Sequence, residues 1–191
     1  MKINDLKEGI FKQYCIDICA KESVKRHFAE KDFRVYYNDS NVIPFNSMRN
    51  EWGIFSNFYP CPLMYDGIRF HSSEQMYYYY VTTQNRELQH LIMQQPTAYR
   101  VKKLHIPYEE RDKGHDRNAV MRRCLQTKYE QCADFRNALL STKDKILLEY
   151  ATWWDLYWGC YLKSNYYFGC NALGRLLMEL RNNNIGRYEE D

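Results

Sequence analysis

Apolar residues near the start of the chain recur four apart. Leu6, Ile10, Tyr14 and Ile18 form one stripe, widened by Phe11, Cys15 and Cys19. That spacing belongs to an amphipathic helix, and it predicts one or two helices over residues 3–31. Asn4 or Asp5 is placed to cap the first, and Ser23 a second. The pattern changes at FRVYY (33–37), a β-branched and aromatic run followed by the turn cluster NDSN, which predicts a strand. LMYDGIRF (63–70) sets an Asp-Gly pair between two apolar runs, the sign of a tight hairpin. Ser72 followed three residues later by Gln75 fits a capping box and predicts a helix from Ser73. Further helices are predicted over 85–94, 97–104, 116–132 and 134–141. A last one runs over 172–182, with Asn171 as cap, Leu173, Leu176, Leu177 and Leu180 as apolar face, and NNNIG as its end. No repeat, linker or low-complexity segment interrupts the pattern. The expected fold is mostly helical with a few short strands (α+β). Residues 1–32 form a helical extension and 33–191 one domain.

One position in this pattern carries candidate chemistry. In FHSSEQMYYYYVTT (70–83) a lone acid, Glu74, precedes four tyrosines. In the first turn of a helix the dipole favours its ionised form, so helix stability alone would account for it. At about 100° per residue, Glu74, Tyr77, Tyr78 and Val81 share one face. Two of its possible helix partners are tyrosines, and the third can neither ionise nor donate a hydrogen bond.

Composition narrows the function classes. Across 191 residues, 27 Lys and Arg against 24 Asp and Glu give a net charge of +3, which argues against a protein that coats DNA. Seven cysteines, with no CxxC pair, suggest a reduced intracellular chain and not a disulfide scaffold or a zinc site. The charged N-terminus does not read as a secretion signal, and no apolar run approaches membrane-spanning length. The expected location is the cytoplasm, or the nucleus or an infected cell for a viral protein. The 18 tyrosines suit half-buried positions as well as a stacking cleft. Residues 100–123 hold eight Lys and Arg against four acids, a local excess able to meet phosphates or simply to face water.

The ordered motifs resemble a known family. IFSNFYPCPLMYDGIRFHSSEQ (54–75), AVMRRCLQTKYEQCADFRNALLST (119–142), then LLEY, WDLYWG and GCNALGRLLMELR within 147–181, are similar to the blocks of the NADAR, or YbiA-like, family. The resemblance covers about residues 33–182. It implies a compact, mainly helical fold and N-glycosidase chemistry on ribosylated bases. Known substrates in the family are ADP-ribosylated guanine in nucleic acid and ribosylated intermediates of riboflavin synthesis, and its name reflects proposed roles in NAD and ADP-ribose metabolism. The implied partner is a small nucleotide or ADP-ribose-like ligand, with ADP-ribosylated nucleic acid as an extension. No cofactor, metal or membrane is called for.

Carried over by position, Glu74 matches the catalytic glutamate, and Asp155 is the second candidate catalytic residue. Phe55, Ser56, Asn57 and Phe58 match a pocket loop, and Trp158 and Gly159 a second wall. Asn171, Leu173 and Gly174 match the start of the closing helix. Tyr78 and Val81 complete the candidate ligand-binding set from the Glu74 helix. Segments 55–58, the helix from Ser73 and 155–174 are thus expected to build one pocket. Trp158 also suits a core, Gly174 a close helix contact and Asn171 a cap, and Leu173 and Gly174 read as mainly structural.

Two positions depart from the family. Its active helix carries a lysine seven residues after the glutamate, thought to attack the ribose through a Schiff base; that position is Val81. A tryptophan of the central block is replaced by Lys113. Three readings follow. The chain is a glycosidase working through Glu74 and water, or with a lysine brought from elsewhere (Lys113, Lys102 or Lys103). Alternatively it is an impaired member that binds or senses an ADP-ribose- or NAD-like ligand, or an interaction protein with a relic pocket. Solvated surface is the simpler reading of those lysines.

Overall fold

The computed structural model describes residues 33–36, 38–46, 51–107, 110–111, 116–151, 155–163 and 165–184. The predicted N-terminal helices lie outside these residues. The chain divides into two compact units, one from Met1–Asn46 with Asp144–Met178, the other from Ser47–Lys143 with Glu179–Asp191.

The first unit is built on short strands. β1 (Phe33–Tyr36) pairs antiparallel with β7 (Tyr166–Gly169), which pairs antiparallel with β6 (Tyr161–Lys163). β2 (Val42–Phe45) and β5 (Ile146–Glu149) form a separate parallel pair. β1 confirms the FRVYY reading, whereas β2 and β5 to β7 were not individually expected. They are three- or four-residue runs, too short for periodicity to declare. Pro44 lies in β2, whose one described strand partner is β5, and has no N–H to give to a ladder. Val42, Leu148, Cys160 and Tyr167 pack together, and Leu156, Tyr157, Cys170 and Ala172 form a second cluster.

The second unit is mainly helical. β3 (Leu63–Tyr65) and β4 (Ile68–Phe70) form the expected hairpin. Asp66 and Gly67 both take positive φ, 50° and 74°, as a two-residue primed turn demands. The helices are α1 (Ser73–Tyr80), α2 (Arg86–Met93), α3 (Ala98–Lys102), α4 (Arg117–Gln131) and α5 (Ala133–Ser141). A 3-10 turn, Gly53–Phe55, precedes the hairpin. Asn85, Thr97 and Asp116 cap α2, α3 and α4 with their side chains. α1 packs on α2, α3 and α4, which explains why Ser73 to Tyr78 are buried without exception. The closing helix α6 (Ala172–Asn182), which begins in the first unit, has the bounds its leucines predict. No described helix is long and apolar enough to cross a membrane.

Candidate functional site

The turn that carries Glu74 is held from three directions. Ser72 caps α1, its Oγ accepting from Gln75 N at 3.3 Å. The reciprocal half of the box closes one residue earlier than the pattern implies, since Gln75 Oε1 accepts from His71 N at 3.0 Å. Gln75 Nε2 also donates to Ile92 O at 3.1 Å, tying α1 to α2. From the other side, Glu74 N donates to Asn57 O at 3.1 Å, and Ser73 Oγ donates to Asn57 Oδ1 at 3.1 Å. The FSNF loop thus supplies acceptors to the first turn of α1, where backbone N–H groups lack helical partners. Within that loop Phe55, Ser56 and Asn57 are buried and Phe58 is half-buried. Ser56 Oγ accepts from Phe58 N at 3.2 Å, and the Phe55 ring stacks on Trp52 with centroids 5.6 Å apart.

The helix face predicted from spacing is uniformly buried: Glu74, Tyr77, Tyr78 and Val81 are all at most 5% exposed. Burial pushes the Tyr77 phenol well above its usual range. Val81 ends α1, its N–H bonded to Tyr77 O at 3.0 Å. An amine nevertheless stands beside the carboxylate. Lys102 Nζ, at the end of α3, lies 3.9 Å from Glu74 Oε1, with side-chain exposures of 45% and 7%. The solvated-surface reading is therefore incomplete for this lysine. Lys103 Nζ rests 5.0 Å over the Tyr99 ring, and Lys113 lies outside the described residues. Lys102 also lies 6.0 Å and Arg111 5.2 Å from the centroid of the Tyr78 ring. Arg111 spends one N–H on Ile106 O, while its buried Nε has no described acceptor.

The C-terminal candidates lie in the first unit. Asp155 shapes a turn, its Oδ1 accepting from Trp158 N at 3.2 Å and its carbonyl from Gly159 N at 3.1 Å. Trp158 packs against the Leu156–Ala172 cluster, edge-on to Tyr157 at 4.9 Å, so its core reading holds at least in part. Its carbonyl accepts from Leu173 N at 3.0 Å. Asn171 starts α6 through its backbone, Arg175 N donating to Asn171 O at 2.9 Å. Its side chain is not the helix cap that the sequence suggests. It bridges β5, Oδ1 accepting from Glu149 N at 3.0 Å and Nδ2 donating to Leu147 O at 2.8 Å. Leu173 is fully buried, and a Cβ on Gly174 would collide with Leu147 O. Gly159 is confined in the same way, its Cβ site 2.8 Å from Glu149 O. Among the described residues no three His, Cys, Asp or Glu side chains are grouped to hold a metal.

Sequence reasoning missed Lys128. It occupies the apolar stripe of α4 with Met121, Cys124 and Leu125, is fully buried, and donates to Ile54 O and Ser56 O at 2.7 and 3.0 Å. The signal was a lysine in step with the buried positions at i, i+4 and i+7.

The NADAR domain family model matches residues 44–183. The chain is 32% identical over 152 residues to N-glycosidase YbiA of Escherichia coli (strain K12), spanning 73% of this chain and 86% of that protein. It is also 32% identical over 142 residues to N-glycosidase YbiA of Shigella boydii serotype 4 (strain Sb227), with the same coverage. The NMR structure of E. coli YbiA superimposes with a TM-score of 0.67 at 28% identity, covering 78% of this chain and 88% of that one.

Proposed function

The chain belongs to the NADAR family, and from that membership we propose that it hydrolyses a ribosyl N-glycosidic bond in an ADP-ribosylated base or a ribosylated nucleotide intermediate. The observation that supports the reading is Glu74, a buried carboxylate whose backbone is fixed at a helix start, with the Lys102 amine 3.9 Å from Oε1. Cleaving the bond between the ribose carbon and nitrogen develops positive charge on the sugar. A fixed carboxylate stabilises that charge or takes a proton from attacking water. General-base help of this kind supplies about 10² to 10⁴-fold. Lys102 brings from α3 the amine that Val81 cannot supply. Unprotonated, it is a nucleophile toward the ribose carbon, splitting one hard step into two. The cations beside Tyr78 favour a ligand carrying phosphate. Asp155, Trp158, Gly159 and Asn171 are assigned to the ligand by family position, with Asp155 as the second candidate catalytic carboxylate.

A second reading, binding or sensing of an ADP-ribose- or NAD-like ligand without turnover, is favoured by Val81 at the family's lysine position. One ligand panel, assayed for both binding and base release on the same preparation, separates the two. Hydrolysis predicts free base from at least one ribosylated ligand, and binding without release from every ligand bound would leave the sensor. Borohydride treatment during turnover should trap an adduct on Lys102 if its amine attacks. Turnover without an adduct, retained in Lys102→Met, would assign the chemistry to Glu74 and water.

A further inference from the structure

The Lys128 side chain is unusual in its setting. Burying an ammonium group is costly unless it is paired and hydrogen-bonded. Among the described residues no carboxylate reaches its Nζ, and the nearby ionisable groups are the thiols of Cys61 and Cys132. What Nζ meets is two backbone carbonyls, Ile54 O and Ser56 O, and the rings of Phe135 and Tyr59 at 4.6 and 5.5 Å. A Met would fill the same volume more cheaply, but it would leave both carbonyls without this donor.

Those carbonyls lie close in sequence to Asn57, whose own carbonyl accepts from Glu74 N. Ser56 N closes the 3-10 turn by donating to Gly53 O at 3.0 Å. The next residue, Asn57, accepts from Glu74 N through its carbonyl and from Ser73 Oγ through its side chain. Asn57 Nδ2 also touches Met121 Sδ at 3.4 Å, one more tie to the helix that carries Lys128. We infer that Lys128 is a positioning residue: it fixes the 54–57 backbone from α4, and through Asn57 sets the first turn of α1 and the place of Glu74. It reaches the reaction only through that loop, and its catalytic consequence rests on the function proposed above.

The test follows amide exchange in Lys128→Met and Lys128→Arg. In Lys128→Met, the Glu74 amide should exchange at least roughly tenfold faster relative to the Leu125 amide inside α4, which corrects for any change in global stability. Lys128→Arg keeps donors and should preserve more of that protection. Equal relative protection of Glu74 in folded Lys128→Met would overturn the inference. Should neither variant fold, wild type decides. Linked segments require the Ser56 and Glu74 amides to open with nearly the same free energy, and opening rates separated more than about tenfold would count against the link. In the activity arm, kcat should fall by roughly 10²-fold with KM little changed, as for a misplaced catalytic group. Wild type lacking base release would remove the glycosidase reading, while the exchange result would still judge the strut.

Discussion

Replacing Lys128 by Met should change the pH dependence of stability in a defined direction. Burial lowers the amine from its usual 10.5 to about 8. At about 1.36 kcal/mol per pH unit, that drop is worth about 3 kcal/mol. Below pH 8 both folded and unfolded chains carry the proton, and the native state bears the full cost of a buried charge. Between about pH 8 and 10.5 the unfolded chain holds the proton and the folded chain does not, so this group makes stability rise with pH. Buried thiols act in the opposite sense. Cys61 is pushed from 9.0 to about 12, by burial first and by its hydrogen bond with Cys132, and Cys124 and Cys160 are also raised. Each favours the native state less as pH passes about 9, so the wild-type curve alone is a mixture. The difference between wild type and Lys128→Met isolates the amine. Near pH 7 the variant loses two hydrogen bonds but also sheds the buried charge, and these effects offset. At pH 10 a neutral amine still donates twice, so wild type should lead by about 3 kcal/mol more than at pH 7. Urea unfolding from pH 6.5 to 10 measures this. A difference constant across that range would refute the desolvated amine.

Other perturbations read separate parts of the molecule. Asn171→Ala removes both side-chain bonds to β5 and places Ala at a φ of 50°. It should cost about 3 kcal/mol in urea unfolding, and a loss below about 1 kcal/mol would deny the bridge. Gly174→Ala drives a methyl into Leu147 O and toward Asn171 Oδ1 at 2.5 Å, and should cost about 2 kcal/mol or more in the same assay. Val81→Lys puts a charged chain at a site only 3% exposed. It should lower the melting temperature yet, if position 81 faces the ribose, raise base release and give a borohydride-trapped adduct at 81. A folded variant with neither gain would place position 81 away from the sugar.

The parts of the fold legible in sequence are those specified locally. Asp66-Gly67 declares a turn needing two positive φ values, Ser72 declares the start of α1, and the leucines of α6 declare its buried face. Ser72 and Asn57, which hold the turn that carries Glu74, lie within the same sequence block as Glu74 itself. What sequence could not show depends on partners distant along the chain. The parallel pairing of β2 with β5 joins two four-residue apolar runs about a hundred residues apart, and no local period encodes it. Asn171 looks like a cap until β5 is present to take its side chain. Lys102 looks like surface until α3 packs on α1 and brings its amine to Glu74. Lys128 was visible as a lysine in an apolar stripe, but its acceptors are two carbonyls more than seventy residues earlier.

The most direct measurement compares free-base release by wild type and Glu74→Gln on the ribosylated ligand that wild type binds best. Gln keeps the size of the side chain and leaves the Glu74 N to Asn57 O bond available, so folding and ligand binding should survive while the charge is lost. The expected result is a rate lowered by roughly 10² to 10⁴-fold at similar affinity. Equal rates would show that Glu74 is not the catalytic carboxylate, and tight binding with no release by either protein would contradict hydrolysis itself.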